Sequence, residues 1–159
     1  MEIGFCLAAY QEKVCAEQLV SDDEQLTVCK KLDALSQQII EDKKSKRFFK
    51  SFFALTGSKS SQFFNYSGLY LYGGVGTGKS MLMDLFFECL TVRKKTRVHF
   101  HKFMQDTHLS INYARSKGSS DPISEVASRI AQQTSVLCFD ELQITDIADA
   151  MIVGRLFAR

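Results

Sequence analysis

The spacing of apolar residues changes along the chain and divides it into two parts. In the first part, apolar residues recur every three or four positions over residues 5–19 and 26–39, which is typical of amphipathic helices. Ser21 and Glu24 form an S-x-x-E capping box that predicts the start of the second helix. Beyond residue 65, short apolar runs alternate with helical spacings. This alternation predicts an α/β fold, a parallel sheet with helices on both faces, preceded by the N-terminal helices.

The second part has a regular order of predicted strands and helices. In chain order these are strand 69–72, helix 79–90, strand 97–103, helix 104–114 and strand 136–139. Asp121 and Pro122 predict the N-cap and first residue of a helix between the last two of these elements. Thr145 is the expected N-cap of a closing helix.

Gly and Ser residues cluster over 56–68, as in a loop or linker. We therefore predict a helical segment with its linker over residues 1–65 and an α/β core over 66–159. Just before the linker, lysines and arginine alternate with phenylalanines over residues 43–53. This stretch fits a helix with buried rings and solvated cations, or a contact for nucleic acid or anionic lipid.

Composition narrows the class of protein. The net charge of +2 is too mild to indicate a nucleic-acid or membrane partner. The five cysteines are odd in number and form no C-x-x-C pair, so a reducing compartment is expected and the cysteines are interpreted as core residues. No apolar run approaches the length of a transmembrane helix, and no signal or transit peptide is visible.

Residues 73–80 read GGVGTGKS and fit the phosphate-loop pattern G-x-x-x-x-G-K-[ST] in full. Glycines are needed there because successive backbone N–H groups must turn toward a phosphate, in conformations that a Cβ obstructs. Lys79 is predicted to reach the β- and γ-phosphates of ATP, and Ser80 to bind Mg²⁺. The predicted nucleotide-binding residues are Gly73, Gly74, Val75, Gly76, Thr77, Gly78, Lys79, Ser80 and Met81.

Residues 136–141 read VLCFDE, an apolar strand that ends in two carboxylates. Asp140 is predicted to bind Mg²⁺, as a Walker B aspartate does, and Glu141 to act as the base for the attacking water. Lys79 and Glu141 are thus the expected catalytic residues. A Ras-like GTPase would carry D-x-x-G here and an N-K-x-D motif elsewhere, so the sequence favours ATP.

Three histidines leave two interpretations open. His99 and His101 share one face if their segment is a strand, and His108 follows closely. They could form a zinc site, but no acidic or cysteine ligand is evidently paired with them. A hydrogen-bonded structural or coupling role is the favoured interpretation.

Several longer strings resemble one family closely. GLYLYGGVGTGKSMLMDLFFE, RVHFHKFM, DPISEVASRIA and LCFDELQITDIADAMIVGRLF together resemble the ZapE and lactation-elevated protein family of AAA+ ATPases. The resemblance is strong over about residues 68–157, and Tyr10 and Val14 fit the family's opening Y-x-x-x-V pattern. It implies an AAA+ P-loop core that uses ATP and Mg²⁺.

The resemblance also implies partners and a location. It suggests protein clients or partner subunits rather than nucleic acid, and a homo-oligomer for the full-length protein. The expected location is the mitochondrion, with a role in protein quality control, if the source is eukaryotic, and the cytoplasm if it is bacterial.

Length is where the chain departs from that family. The AAA+ order 5-1-4-3-2 places strand 4, with its sensor residue, after Arg159, together with the arginine-finger region and the helical lid. We therefore expect an incomplete core that turns over ATP inefficiently. Two alternatives to an active ATPase remain: a non-catalytic ATP-binding or partner-binding fragment, and a nucleic-acid motor or loader.

Overall fold

The structure, a computed structural model, describes residues 6–53 and 68–157, apart from the side chains of residues 42–53. These residues form six helices and two strands. The helices are α1 (Cys6–Cys15), α2 (Asp23–Phe53), α3 (Lys79–Cys89), α4 (Phe100–Ser116), α5 (Pro122–Gln133) and α6 (Ile147–Phe157), and the strands are β1 (Lys95–His99) and β2 (Val136–Asp140). The chain divides into two compact units, Met1–Thr91 and Val92–Arg159.

In the N-terminal unit, polar side chains join α1 to α2. The carboxylate of Asp33 in α2 accepts hydrogen bonds from the backbone N–H groups of Cys6 (2.6 Å) and Leu7 (3.2 Å), and so satisfies the first turn of α1. The fully buried Tyr10 accepts from the N–H of Asp22 through its hydroxyl (3.1 Å). Hydrogen bonds thus join the two helices at the start of α1 and at the start of α2.

Helix α3 packs against both α1 and α2. Its buried side chains are Leu82, Leu85 and Phe86, which recur at the three- and four-residue spacing of one helix face. Their burial fixes the orientation of α3. It therefore also fixes the start of the helix at Lys79, where the glycine-rich loop ends.

The C-terminal unit contains a two-stranded parallel sheet, as the alternating pattern predicts. Strands β1 and β2 pair in register from Lys95 opposite Val136 to His99 opposite Asp140. Val98, Leu137 and Phe139 pack against the core formed with α4, α5 and α6. Since side chains alternate along a strand, Arg97 and Asp140 lie on the other face of the sheet.

Phe139 forms the centre of an aromatic cluster in this core. Its ring makes edge contacts with Phe100, Phe103 and Phe157, with centroid separations of 5.6, 4.9 and 6.1 Å. Edge-to-face packing of this kind adds to the stabilisation from burial alone. The cluster thereby fixes the residue that immediately precedes Asp140.

Two helix caps differ from those predicted. The N-cap of α2 is Asp22, whose carboxylate accepts from the N–H of Gln25 (2.9 Å), and not Ser21. The N-cap of α6 is Asp146, which accepts from the N–H of Ala148 (2.7 Å), and not Thr145. In both cases the aspartate directly precedes the first helical residue, where a cap must lie. Asp121 is confirmed as the cap of α5.

Two predicted strands also differ. The strand predicted over 97–103 ends at His99, because Phe100, Phe103 and Met104 are buried with the i, i+3, i+4 spacing of a helix and begin α4. The strand predicted over 69–72 takes no part in a β-ladder among the described residues, whose sheet contains only β1 and β2. A strand needs a hydrogen-bonded neighbour, which local sequence cannot specify.

The cysteines divide into two groups. Cys6, Cys29 and Cys138 are buried, and burial raises the pKa of each of their thiols, so they fit the predicted core role. Cys89 is partly buried. Cys15 is exposed, contrary to that prediction.

Two further predictions concern membrane-spanning helices and the boundary between the two parts of the chain. In the part of the chain that the structure describes, no helix is both long and apolar enough to span a bilayer. The predicted boundary near residue 65 lies outside the described residues.

The aromatic cluster yields a stability prediction. We expect Phe100→Ala to lower the free energy of unfolding by about 3–5 kcal/mol, since it removes a ring from a close-packed core. Urea unfolding of the 159-residue chain measures this. Leu109→Ala is the matched control on the same helix, because that side chain is 68% exposed, and it should change stability by less than about 0.5 kcal/mol. Equal effects of the two substitutions would contradict the assigned core.

Candidate nucleotide site

Two glycines of the predicted phosphate loop have a left-handed backbone. Gly76 and Gly78 both have a φ of 82°, in the left-handed region where a Cβ is disfavoured. Gly78 is also the N-cap of α3, and no side chain caps that end of the helix. The partial positive charge of the helix N-terminus is therefore open toward an anion.

The backbone donors of the loop have no acceptor in the part of the chain that the structure describes. Among the hydrogen bonds between described residues, none is donated by the N–H groups of residues 74–78. Residues 73–77 are exposed, so their N–H groups can bind water or a ligand. A row of unused donors with left-handed glycines fits a cradle for phosphate oxygens.

Lys79 lies folded over this loop. Its Nζ donates to the carbonyl oxygens of Gly74 (2.6 Å) and Gly73 (3.1 Å) and lies 3.3 Å from the hydroxyl of Thr77. The same hydroxyl donates to the carbonyl of Gly74 (3.1 Å). These partners are neutral oxygens, whereas a phosphate would offer the ammonium group charged acceptors and stronger hydrogen bonds.

A residue that the sequence did not indicate also contacts the loop. Gln25, in the first turn of α2, donates from Nε2 to the carbonyl of Thr77 (3.2 Å), although the two residues are 52 positions apart. Its amide lies against Gly78, where an added Cβ would come within 2.8 Å of Nε2. No local pattern signals this contact, since Gln25 is one polar residue among several at the start of a helix.

The predicted acidic pair lies at the end of β2. Oδ2 of Asp140 accepts from Arg97 Nη2 (2.9 Å), and the Asp140 side chain is only 16% exposed. Glu141 is exposed and has a φ of 53°, which is unusual for a residue other than glycine. Backbone strain of this kind is concentrated at functional sites, and here it turns the chain out of the strand beside the partly buried carboxylate of Asp140.

The predicted site residues thus belong to two different compact units of the chain. Residues 73–81 lie in the N-terminal unit and present hydrogen-bond donors and an ammonium group. Asp140 and Glu141 lie in the C-terminal unit and present carboxylate oxygens.

The predicted metal ligands fit magnesium by their chemistry. Ser80 and Asp140 offer hard oxygen atoms, and Mg²⁺ in nucleotide sites usually binds one or two such protein ligands together with phosphate and water. Within the described ranges, no group of three or more His, Cys, Asp and Glu residues could hold a metal ion without such additional ligands.

Two of the three histidines, His101 and His108, make hydrogen bonds to residues in helices. His108 Nε2 lies 2.6 Å from Asp149 Oδ1 and joins α4 to α6. His101 Nε2 lies 3.0 Å from Gln105 Nε2. The contact of His108 fits the hydrogen-bonded structural role that the sequence left open beside a coupling role.

The basic and aromatic stretch over 43–53 belongs to the C-terminal end of α2. Its side chains lie outside the described residues. Whether its phenylalanines are buried therefore stays a prediction.

The Gln25 contact predicts different costs for two alanine substitutions in the loop. Gly76→Ala should cost about 1–2 kcal/mol of stability for the left-handed backbone alone, because nothing lies within 4 Å of its added Cβ. Gly78→Ala should have the same backbone cost, because Gly78 has the same φ as Gly76. It should also displace the Gln25 amide and so lose roughly a further 0.5–1.5 kcal/mol for the broken hydrogen bond.

Urea unfolding without nucleotide compares the two variants, and Gly76→Ala is the control for backbone strain. A Gly78→Ala protein as stable as Gly76→Ala would show that the amide of Gln25 contributes nothing at this position.

Comparison with known proteins adds to this geometry. The model of the AFG1-like ATPase family matches residues 6–159. The lactation elevated protein 1 homolog B of Danio rerio is 48% identical over 99 residues, which cover 57% of this chain and 20% of that protein. The cell division protein ZapE of Escherichia coli K12 is 47% identical over 96 residues, covering 58% of this chain and 25% of ZapE.

No solved structure matches the chain. The aligned parts amount to only a fifth to a quarter of these curated relatives. The family match extends over nearly the whole sequence, including the helices α1 and α2 as well as the glycine-rich loop. The chain belongs to the AFG1-like ATPase family.

Proposed function

We propose that this chain binds MgATP through residues 73–81 and carries the hydrolytic residues of an AAA+ type ATPase. Membership of an ATPase family supports ATP as the nucleotide. The observation that carries the proposal is the glycine-rich loop, whose N–H groups at residues 74–78 have no acceptor among the described residues. Three or more such donors in sequence are suited to the oxygens of a di- or triphosphate.

Lys79 has the central part in this proposal. Its Nζ exchanges the carbonyl oxygens of Gly73 and Gly74 for phosphate oxygens when ATP binds. The exchange is favourable because a charged acceptor gives a shorter and stronger hydrogen bond than a neutral one. The loop therefore keeps the ammonium group close to the position that it takes on ATP.

The acidic residues are assigned by their chemistry and backbone geometry. Asp140 and Ser80 are the proposed ligands of Mg²⁺, which neutralises phosphate charge when it is bound. Glu141 is exposed at the turn after β2, so its carboxylate can reach a water molecule. A positioned carboxylate that accepts a proton from water accelerates hydrolysis by roughly 10²–10⁴-fold.

A second candidate function is ATP binding without hydrolysis. The contact between Arg97 and Asp140 favours it, since the proposed metal ligand already has a cationic partner 2.9 Å away. Single-turnover measurements distinguish the two functions, because only the first predicts phosphate release.

The cellular role is a broader proposal that rests on the resemblance. Protein clients or partner subunits are expected, and the full-length protein is expected to form a homo-oligomer. A eukaryotic source would place it in the mitochondrion, in protein quality control, and a bacterial source in the cytoplasm.

Three variants test the nucleotide site in the full 159-residue chain. With a fluorescent ATP analogue and Mg²⁺, Lys79→Ala should weaken binding at least about tenfold, since it removes a charged phosphate contact. Glu141→Gln should retain affinity within about threefold and lose at least about 100-fold in single-turnover hydrolysis. Lys30→Ala is the charge-matched control, because that lysine is exposed on α2.

Each outcome of this experiment has a distinct meaning. Binding without hydrolysis in the unsubstituted chain would support the second candidate. Absence of binding, or an equal loss in Lys30→Ala and Lys79→Ala, would contradict a phosphate site at residues 73–81.

A further inference from the structure

Gln25 reaches the glycine-rich loop from a rigid position. It is the third residue of α2, and its N–H is bound by the capping carboxylate of Asp22 (2.9 Å). A capped first turn holds the backbone of Gln25 in place. The side chain therefore extends to the Thr77 carbonyl, 3.2 Å from Nε2, from a fixed point.

The orientation of the Gln25 amide is determined by that carbonyl. With Nε2 on Thr77, the other amide atom, Oε1, is buried and has no partner among the described residues. Turning the amide over would place Oε1 against the carbonyl oxygen of Thr77, and two acceptors cannot form a hydrogen bond. The amide is thus oriented for its hydrogen bond to Thr77. This orientation leaves one acceptor, Oε1, unpaired among the described residues.

The bond to Thr77 also determines where a loop donor points. In a trans peptide the C=O and the following N–H lie in one plane and point in opposite directions. The described residues contain no cis peptide bond. Because the Thr77 carbonyl points toward Gln25, the N–H of Gly78 points away from α2. Gln25 therefore fixes the direction of one of the loop N–H groups.

We propose that Gln25 is a positioning residue that holds the Thr77–Gly78 peptide, and that α2 sets the nucleotide affinity of the loop through it. The effect of α2 on nucleotide affinity rests on the proposed function. The positioning of the Thr77–Gly78 peptide by Gln25 concerns the loop alone and applies without nucleotide. Glycine is needed at residue 78 for this contact as well as for its φ of 82°, since a Cβ would occupy the place of the amide.

The test compares three variants of the full chain with the unsubstituted protein. Gln25→Glu keeps the shape of the side chain and removes the donor, whereas Gln25→Leu removes all hydrogen bonding. Gln38→Leu is the matched control, an exposed glutamine on the same helix. NMR without nucleotide gives the carbonyl ¹³C shift of Thr77 and the backbone order parameters of residues 76–78. Titration with MgATP gives the affinity.

A positioning role predicts the same change in both Gln25 variants. The Thr77 carbonyl shift should move, and the order parameters of 76–78 should fall from about 0.85 toward 0.6 or below. MgATP affinity should fall by about threefold to tenfold, the effect of one net hydrogen bond. Gln38→Leu should match the unsubstituted chain in every reading.

Other results would overturn the proposal. If Gln25→Glu kept the loop ordered, packing rather than the hydrogen bond would hold the peptide. Lower melting temperatures with an unchanged loop would make Gln25 a purely structural residue. A disordered loop with unchanged MgATP affinity would refute the link between α2 and binding. Failure of the unsubstituted chain to bind MgATP would instead count against the proposed function, while the measurements without nucleotide would still decide whether Gln25 holds the loop.

Discussion

The structure of the proposed site depends on one requirement, that the N–H groups of residues 74–78 stay together without acceptors among the described residues. Most of these residues are exposed, so water can satisfy the donors until a ligand replaces it, provided that the loop does not close on itself. The left-handed backbone at Gly76 and Gly78 turns the chain without forming helix bonds. Lys79 occupies the nearby carbonyls, and Gln25 holds the peptide that precedes the helix.

The surrounding elements supply the rigidity that this loop cannot supply for itself. Burial of one face of α3 holds that helix in place, together with Lys79 at its first position. The cap at Asp22 holds the first turn of α2, which carries Gln25. In the C-terminal unit the same principle applies to a carboxylate. The aromatic contacts of Phe139 hold the end of β2, so Asp140 is presented from a packed strand and Glu141 from a strained turn. In each unit, apolar packing determines the position of a polar group that it does not touch.

Sequence alone predicts the features whose causes are local. The glycine-rich loop, the Asp121 cap and the parallel character of the sheet follow from spacing, residue type and the alternation of strands with helices. The end of β1 was predicted wrongly because the alternation from Arg97 continues through Phe103, and only burial in the core identifies Phe100 as the first residue of a helix. Gln25 could not be predicted, since its contact with Thr77 is made by packing across 52 positions.

The central claim is that residues 73–80 bind the phosphates of ATP and that Lys79 changes partners when they do. A crystal structure of this chain with Mg²⁺ and a non-hydrolysable ATP analogue tests it most directly. We expect the β-phosphate oxygens within about 3 Å of the loop N–H groups, and Lys79 Nζ moved from the carbonyls of Gly73 and Gly74 to the phosphates. A nucleotide bound elsewhere, or a Lys79 that keeps its carbonyl partners beside a bound nucleotide, would contradict the account.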